Sequence, residues 1–368
     1  MTPVPNPRIL YASIPTGYPI PGENTKYDDS EQIDLENVPL KGGYLTRTVL
    51  ISPEPWLRER LRDPTVASYS SPMRLGLPMV GSGLVKVIRS EDPKIKVGDF
   101  MTGLIPWQLY IVHPWEGWQP WPPGHWPDFT VDIDAGGLSG LTKVQKLPGK
   151  DWTAVPGVLG APGRTAWMGL KEYGDLKKGE TIYVSTGAGA LGLMVCQFAQ
   201  AAGLKVIAST GSDEKVKYLM EVIGVDHAFN YKTTKVDSAL SKWGPIDVYW
   251  DNVGGETLDA AIAHCNIHAR ILACGYISEY NGEEKYGVKN LAWIFKKRIR
   301  MYGILVGDLV PKWAGPFFEE VYKLLAEGKL KTQEHIVHGL ENADKAWVEL
   351  LQGKHLGKTV VVVSNPEA

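Results

Sequence analysis

The stretch TIYVSTGAGALG (181–192) carries Gly187, Gly189 and Gly192 in the spacing G-x-G-x-x-G, between an apolar run and a helix-like run. In such a turn Gly189 lets the backbone approach a pyrophosphate and Gly192 lets the helix pack closely on the strand. The helix N-terminal amides then face the phosphate charge. Glycine-rich turns are common, so the context decides: a strand before, a helix after, and a second strand, KVIAS (205–209), at the proper distance. At the end of that second strand, a nucleotide with a free ribose 2′-hydroxyl usually meets an Asp or Glu. Here the chain reads STGSDEK from Ser209. Ser209, Thr210, Gly211 and Ser212 carry no charge, Lys215 follows one turn into the next helix, and Asp213 reads as that helix's N-cap. Ser212 and Lys215 supply the donors and positive charge a 2′-phosphate requires, which predicts NADPH in preference to NADH.

Other residues have the right chemistry for a site but also plainer roles. Asn252, after YWD, sits at a strand's carboxyl end, where open α/β sheets bind ligands; its plainer role is a turn residue before Gly254 and Gly255. Trp56 and Trp107 suit an apolar substrate wall or the core. Cys274 reads as a buried small residue rather than a nucleophile. A catalytic zinc needs about three protein ligands, and a structural zinc often needs four thiolates. Cys196, Cys265 and Cys274 are scattered, and the N-terminal half offers only His113 and His125, so no metal is expected. Without a Lewis acid an alcohol oxygen is hard to polarise, whereas a conjugated enal or enone needs less help.

The elements that must hold these residues are legible as rhythm. From about Ala161 to Val306, short apolar strands alternate with helix patterns that start near Leu191, Asp213 and Glu256. That predicts βαβ units in a parallel sheet covered on both faces. Before it, GGYLTRTVLIS (42–52) and SGLVKVIRS (82–90) have strand character. After it come two amphipathic helices, FFEEVYKLLAEGKL (317–330) and LENADKAWVELLQGK (340–354), and a strand, KTVVVV. The segment HPWEGWQPWPPGHW (113–126) holds four tryptophans and four prolines. It reads as a surface loop with Trp faces on Pro rings, or as part of a substrate wall or dimer contact.

A chain of 368 residues with 44% apolar and 22% charged residues reads as soluble and globular, with room for two domains. A net charge of -2 leaves no footprint for nucleic acid or an anionic membrane. No apolar run approaches ~20 residues, and no signal peptide is expected. Scattered cysteines point to reduced, buried thiols and a reducing compartment.

The chain also resembles the medium-chain dehydrogenase/reductase superfamily. Within it, the chain is most similar to the zinc-independent leukotriene B4 dehydrogenase/prostaglandin reductase group and the plant alkenal double-bond reductases. The likeness covers nearly the whole chain and shows in SPEPWLRERL (52–61), GSGLVKVIRSEDPKIKVGD (81–99), GAPGRTAWMGL (160–170), DNVGGETLDAA (251–261) and HARILACGYISEYN (268–281). It implies an α/β fold class: a Rossmann doubly wound parallel sheet over 160–306, and a GroES-like, mainly β catalytic domain from 1–159 and 307–368. It implies NADPH-dependent reduction of the carbon–carbon double bond of α,β-unsaturated aldehydes and ketones, usually in a cytosolic (cytoplasmic) homodimer.

Carried over by position, Gly189, Ala190, Leu191 and Gly192 would hold the pyrophosphate, and Lys215 and Tyr231 the adenosine phosphate. Asn252, the stretch Cys274, Gly275, Tyr276, Ile277 and Ser278, and the residues Ile304, Leu305 and Val306 would line the nicotinamide side. Tyr280, the tyrosine of the ISxY element, takes the stabilising or proton-donating role, alongside the coenzyme's ribose hydroxyl or water. His355 touches the cofactor or caps the final helix.

There are departures. The family usually has tyrosine where this chain has Trp56, some plant members have tyrosine at Ser82, asparagine is usual at His355, and a small residue or methionine is common at Tyr276. These bear on the substrate rather than the reaction type. A quinone reductase shares the fold and the lack of metal. A catalytically silent nucleotide-binding protein is a third reading, and the joint presence of Lys215, Tyr231, Asn252 and Tyr280 speaks against it.

Overall fold

The computed structural model describes residues 3–115, 141–147, 149–282 and 285–367. Most of the tryptophan-rich segment, from 116 onward and including His125, lies outside the described residues. The chain divides into two compact units. One comprises Met1–Pro156, Glu334–Lys354 and Thr359–Ala368; the other comprises Gly157–Gln333 and His355–Lys358.

Among the described residues, the second unit is built on a six-stranded sheet. Its strands are Thr181–Val184 (β1), Lys205–Thr210 (β2), His227–Asn230 (β3), Ile246–Asp251 (β4), Cys265–Ala273 (β5) and Arg300–Gly303 (β6). They lie in the order β3-β2-β1-β4-β5-β6, each neighbouring pair parallel. This is the Rossmann order, and it reverses between β1 and β4, the crevice where such sheets bind ligands. β1, β2 and β4 are buried along nearly their whole length. Burial on both faces is why they read as unbroken apolar runs instead of alternating ones. Tyr183 and Tyr249 stack at 5.0 Å and, with Ile207, Ile262 and Ile271, fill one face.

Helix Ala190–Ala201 (α1) follows β1 and ends before Gly203, which takes the left-handed conformation at φ 83. Its buried face carries Leu193, Val195, Cys196 and Phe198. The helix Val306–Ala326 starts well before the amphipathic pattern that announces it, and runs through Pro311 and Pro316. It belongs to this unit, whose edge lies at Gln333 and not at residue 306. The cause is aromatic packing: Trp167, on helix Ala161–Gly169, meets Trp313 and Phe317 edge-on at 5.7 and 5.8 Å.

Among the described residues, the first unit is built on a seven-stranded sheet. Its centre is the antiparallel pair Tyr44–Ser52 and Val80–Ser90, flanked by Phe100–Pro106, Tyr110–His113 and Lys358–Val362. One core cluster joins Ile9, Ile51, Leu57, Trp107 and Trp347.

One glycine in α1 is set by sterics alone. A Cβ on Gly192 would lie 2.3 Å from Thr186 O and 2.7 Å from Gly187 Cα, both backbone atoms with nowhere to go. Gly192→Ala should therefore lower stability by about 3 kcal/mol, read as a fall in thermal midpoint together with weakened NADPH binding.

Candidate active site

The glycine turn is built from both sides. Ser185 is fully buried at the end of β1, and Thr186 takes a left-handed conformation at φ 52. Gly187 donates to Ser209 O at 2.8 Å, and a Cβ on it would fall 2.7 Å from Ala208 Cβ on β2. Gly189, at φ -80 and ψ 166, caps α1 without a side-chain hydrogen bond, and the first helical bond runs from Leu193 N to Gly189 O at 2.9 Å. The amides of Ala190, Leu191 and Gly192 therefore precede any helical acceptor and form the positive end of the helix. A Cβ on Gly189 would meet only Thr186 O, at 3.3 Å, so its outer side is open. The His355–Lys358 segment lies against this turn, with Gly357 N donating to Ala188 O at 2.9 Å. His355, two residues before that bond, is half-buried.

At the end of β2, Ser212 caps the helix Asp213–Tyr218; its Oγ accepts from Lys215 N at 3.4 Å. The cap is thus Ser212 and not Asp213. Ser212 has the extended backbone a cap requires, while Asp213 is already helical and its Oδ1 accepts from Asn230 Nδ2 at 2.9 Å. Tyr231 packs over Gly211, where a Cβ would lie 3.2 Å from the phenol oxygen. Lys215 is half-buried; burial and then the charge of Lys232 hold its ammonium below the ordinary lysine range, and Glu214 partly offsets this. Lys232 is a second cation near this turn that the sequence reading passed over, although it directly follows Tyr231. A phosphate relieves both the burial and the repulsion, so the turn fits a 2′-phosphorylated nucleotide.

Across the crevice, Asn252 is held on three sides. Its amide donates to Ser185 Oγ at 2.9 Å, its Nδ2 donates to Ser185 O at 2.7 Å, and its Oδ1 accepts from Trp250 Nε1 at 3.1 Å. These bonds fix Asn252 in the turn before Gly254 and Gly255, at the carboxyl end of β4. Cys274 N and Gly275 N both donate to Asp251 O, and the Tyr276 ring covers Gly254. Ile277 and Ser278 lie in a single turn, Ile277–Glu279, and the Tyr280 oxygen accepts from Tyr276 N at 3.4 Å. Ile304 N donates to Ala273 O at 2.9 Å, Leu305 precedes the helix that starts at Val306, and the Ile304 side chain packs on Gly169. The second unit therefore gathers the expected cofactor residues at the carboxyl ends of its strands, with the segment that carries His355 reaching the glycine turn through Gly357.

Asp251 is buried, and burial raises its carboxyl above the usual range against the hydrogen bonds it accepts. Tyr249, buried beside that charge, is pushed well above the ordinary phenol range and stays a donor. Burial pushes the Cys274 thiol up to about 12, so it is no nucleophile at neutral pH.

In the first unit, Trp56 and Ser82 converge on a residue the sequence reading missed. Glu54 Oε2 accepts from Trp56 Nε1 at 2.6 Å and from Ser82 Oγ at 3.1 Å. Trp107 stands apart: it is wholly buried, edge-on to Trp347 at 6.4 Å, and belongs to the core rather than to a substrate wall. Its ring is spent on packing between the sheet and the helix Ala343–Leu351.

Among the described residues, no group of three or more His, Cys, Asp or Glu side chains is arranged to hold a metal ion. Cys196 and Cys265 are buried with thiols pushed up to about 12. His113 is sealed against Tyr44 and Thr46, and burial lowers its ring to about 4. This donor set does not fit zinc.

The family profile described as zinc-binding dehydrogenase matches residues 190–327, and that of the N-terminal domain of oxidoreductase matches 8–120. A zinc-type alcohol dehydrogenase-like protein of Schizosaccharomyces pombe is 38% identical over 96% of this chain and 97% of its own length. An NADP-dependent 2-alkenal reductase of Nicotiana tabacum is 36% identical over 98% of each. CurA of Vibrio vulnificus, solved in complex with NADPH, superposes with a TM-score of 0.82 at 32% identity, covering 98% of this chain and 100% of that one. The chain belongs to the zinc-independent medium-chain dehydrogenase/reductases. It is an oxidoreductase that uses NADPH, with a Rossmann domain and a GroES-like, mainly β domain. No helix among the described residues is long and apolar enough to cross a membrane.

The phosphate turn gives the coenzyme test. Lys215→Ala should raise the KM for NADPH by about tenfold or more and leave that for NADH within about twofold, in steady-state assays with each coenzyme.

Proposed function

We propose that this chain reduces the carbon–carbon double bond of α,β-unsaturated aldehydes or ketones, with hydride delivered to the β-carbon and a proton to the α-carbon. The observation that carries the reading is the donor set. A turn suited to a phosphorylated dinucleotide occurs in a family member whose described residues bring no three His, Cys, Asp or Glu side chains together to hold a metal ion, and whose relative from tobacco is named a 2-alkenal reductase.

Bound NADPH supplies the hydride. The amides of Ala190, Leu191 and Gly192 would hold the pyrophosphate, and Ser212, Lys215, Tyr231 and Lys232 the 2′-phosphate. Asn252 and the Cys274–Ser278 loop would orient the nicotinamide, with Ile304–Val306 beside them. The Tyr280 hydroxyl would donate to the enolate oxygen as charge develops there, and a proton would then reach the α-carbon from Tyr280 or water, a phenolate so formed regaining its proton from solvent. A phenol is protonated at neutral pH and serves as donor rather than base. A donor aimed at developing charge is worth about 3 kcal/mol. Trp56 and Ser82, locked to Glu54, would present a mostly apolar surface to the substrate, because their own donors are spent on the carboxylate.

The reading extends to a cytoplasmic homodimer. Among the described residues β6 is the sheet's edge strand, and Leu291, Phe295 and Met301 near it are exposed. An edge of this kind offers unpaired backbone groups and apolar surface to a second copy.

Two measurements test the proposal. Tyr280→Phe should lower kcat for 2-alkenals by at least about tenfold with little change in NADPH affinity; unaltered turnover would retire the role of Tyr280. Phe295→Asp should shift the mass seen by light scattering from dimer to monomer, and an unshifted dimer would place the interface elsewhere.

A further inference from the structure

The carboxyl end of β4 carries a buried acid that the scheme above does not use. Asp251 is 1% exposed. Its Oδ1 accepts from the Tyr249 hydroxyl at 2.6 Å, from Val253 N at 2.9 Å and from Gly254 N at 2.8 Å. These bonds clamp the turn that contains Asn252. The main-chain oxygen of the same residue accepts from Cys274 N at 2.8 Å and from Gly275 N at 3.1 Å, so one residue ties together the loops that follow β4 and β5.

Those loops are joined further along. Ile277 N donates to Asn252 O at 3.3 Å, and Ser278 reaches Val253 O through its amide at 3.2 Å and its hydroxyl at 2.6 Å. Gly254 leaves room for the Tyr276 ring, which a Cβ would approach to 2.0 Å. Ser185, at the end of β1, closes the set. It lies 3.2 Å from the Tyr249 hydroxyl and accepts from Asn252 N at 2.9 Å.

A buried carboxylate is costly unless it is hydrogen-bonded, and this one spends its bonds on shaping a turn. We propose that Asp251, braced by Tyr249, is a positioning residue for the nicotinamide half of NADPH, setting the shape of the Asn252–Gly254 turn and the Cys274–Ser278 loop without touching the coenzyme itself. The inference rests on the reading that these loops face the nicotinamide. A binding site for a ring and an amide needs its walls held in place before the ligand arrives, and a three-donor acceptor at the root of one wall does that.

The test compares the wild type with Asp251→Ala, Asp251→Asn and Tyr249→Phe. Two probes are titrated: NADPH, followed by the fluorescence of its reduced ring, and 2′,5′-ADP, followed by calorimetry. Neither readout needs a carbonyl substrate, so a failure of the double-bond reductase reading leaves this test intact. Asp251→Ala leaves three donors without their acceptor and should weaken NADPH about tenfold or more, with 2′,5′-ADP held within about twofold. An asparagine carbonyl accepts the same donors, so Asp251→Asn should return NADPH affinity to within about threefold of wild type. Tyr249→Phe removes one of the three and should cost about threefold for NADPH alone.

Wild-type NADPH affinity in Asp251→Ala would overturn the proposal. So would equal losses for both probes in that variant, or an Asp251→Asn protein as impaired as Asp251→Ala. If Asp251→Ala does not fold, Tyr249→Phe decides, and unchanged NADPH affinity in it would overturn the proposal.

Discussion

The amides that open α1 have no carbonyl in their own helix to receive them. A helix end of this kind must be satisfied by a cap, by water or by a ligand, and here no side chain caps it. The steric fit behind it follows from that demand. Gly187 and Gly192 let β1, the turn and α1 approach closely enough for those amides to point out of the sheet at the strand-order reversal. Any side chain at Gly192 would push the helix off the turn. In the proposed binding mode the coenzyme's doubly charged linkage would be met mainly by backbone, leaving side chains to discriminate at the two ends: Lys215, Tyr231 and Lys232 at the adenosine end, and Asn252 and its neighbours at the ring.

Much of this was legible in the residues themselves. The glycine turn, the uncharged end of β2 and the six strands declare themselves by local signals: apolar runs of strand length, a break in charge, a fixed glycine spacing. The parallel sheet is a consequence of that rhythm, and the family likeness agreed with it. What stayed hidden was non-local or masked. Pro311 and Pro316 concealed the first half of the helix Val306–Ala326, since proline argues against a helix interior, and only its packing on Trp167 overrides that. Ser212 and Asp213 are both good caps by type, and Asn230, seventeen residues on, settled the choice by taking the aspartate.

The acids were the least visible part of the site. Glu54 and Asp251 sit within two positions of residues that drew attention for their own sake, Trp56 and Asn252, yet each gains its meaning from partners elsewhere. Ser82 reaches Glu54 from a neighbouring strand, and Cys274 reaches Asp251 from the next one. A carboxylate in an apolar run of sequence gives no local clue to whether it is exposed, paired or buried. Trp107 erred in the opposite direction: a large aromatic near a site is as well suited to core as to wall, and burial assigned it to core.

The bond from Gly357 to Ala188 has an outcome for biosynthesis. Gly357 follows every strand of the parallel sheet in the chain, and the intervening Glu334–Lys354 belongs to the other unit. A nascent polypeptide emerging from the ribosome can thus assemble the sheet and α1 while the turn between them still lacks its last tether. That tether can form only after translation has passed through a stretch of the companion domain, so the glycine turn is the last part of the parallel-sheet unit to be completed.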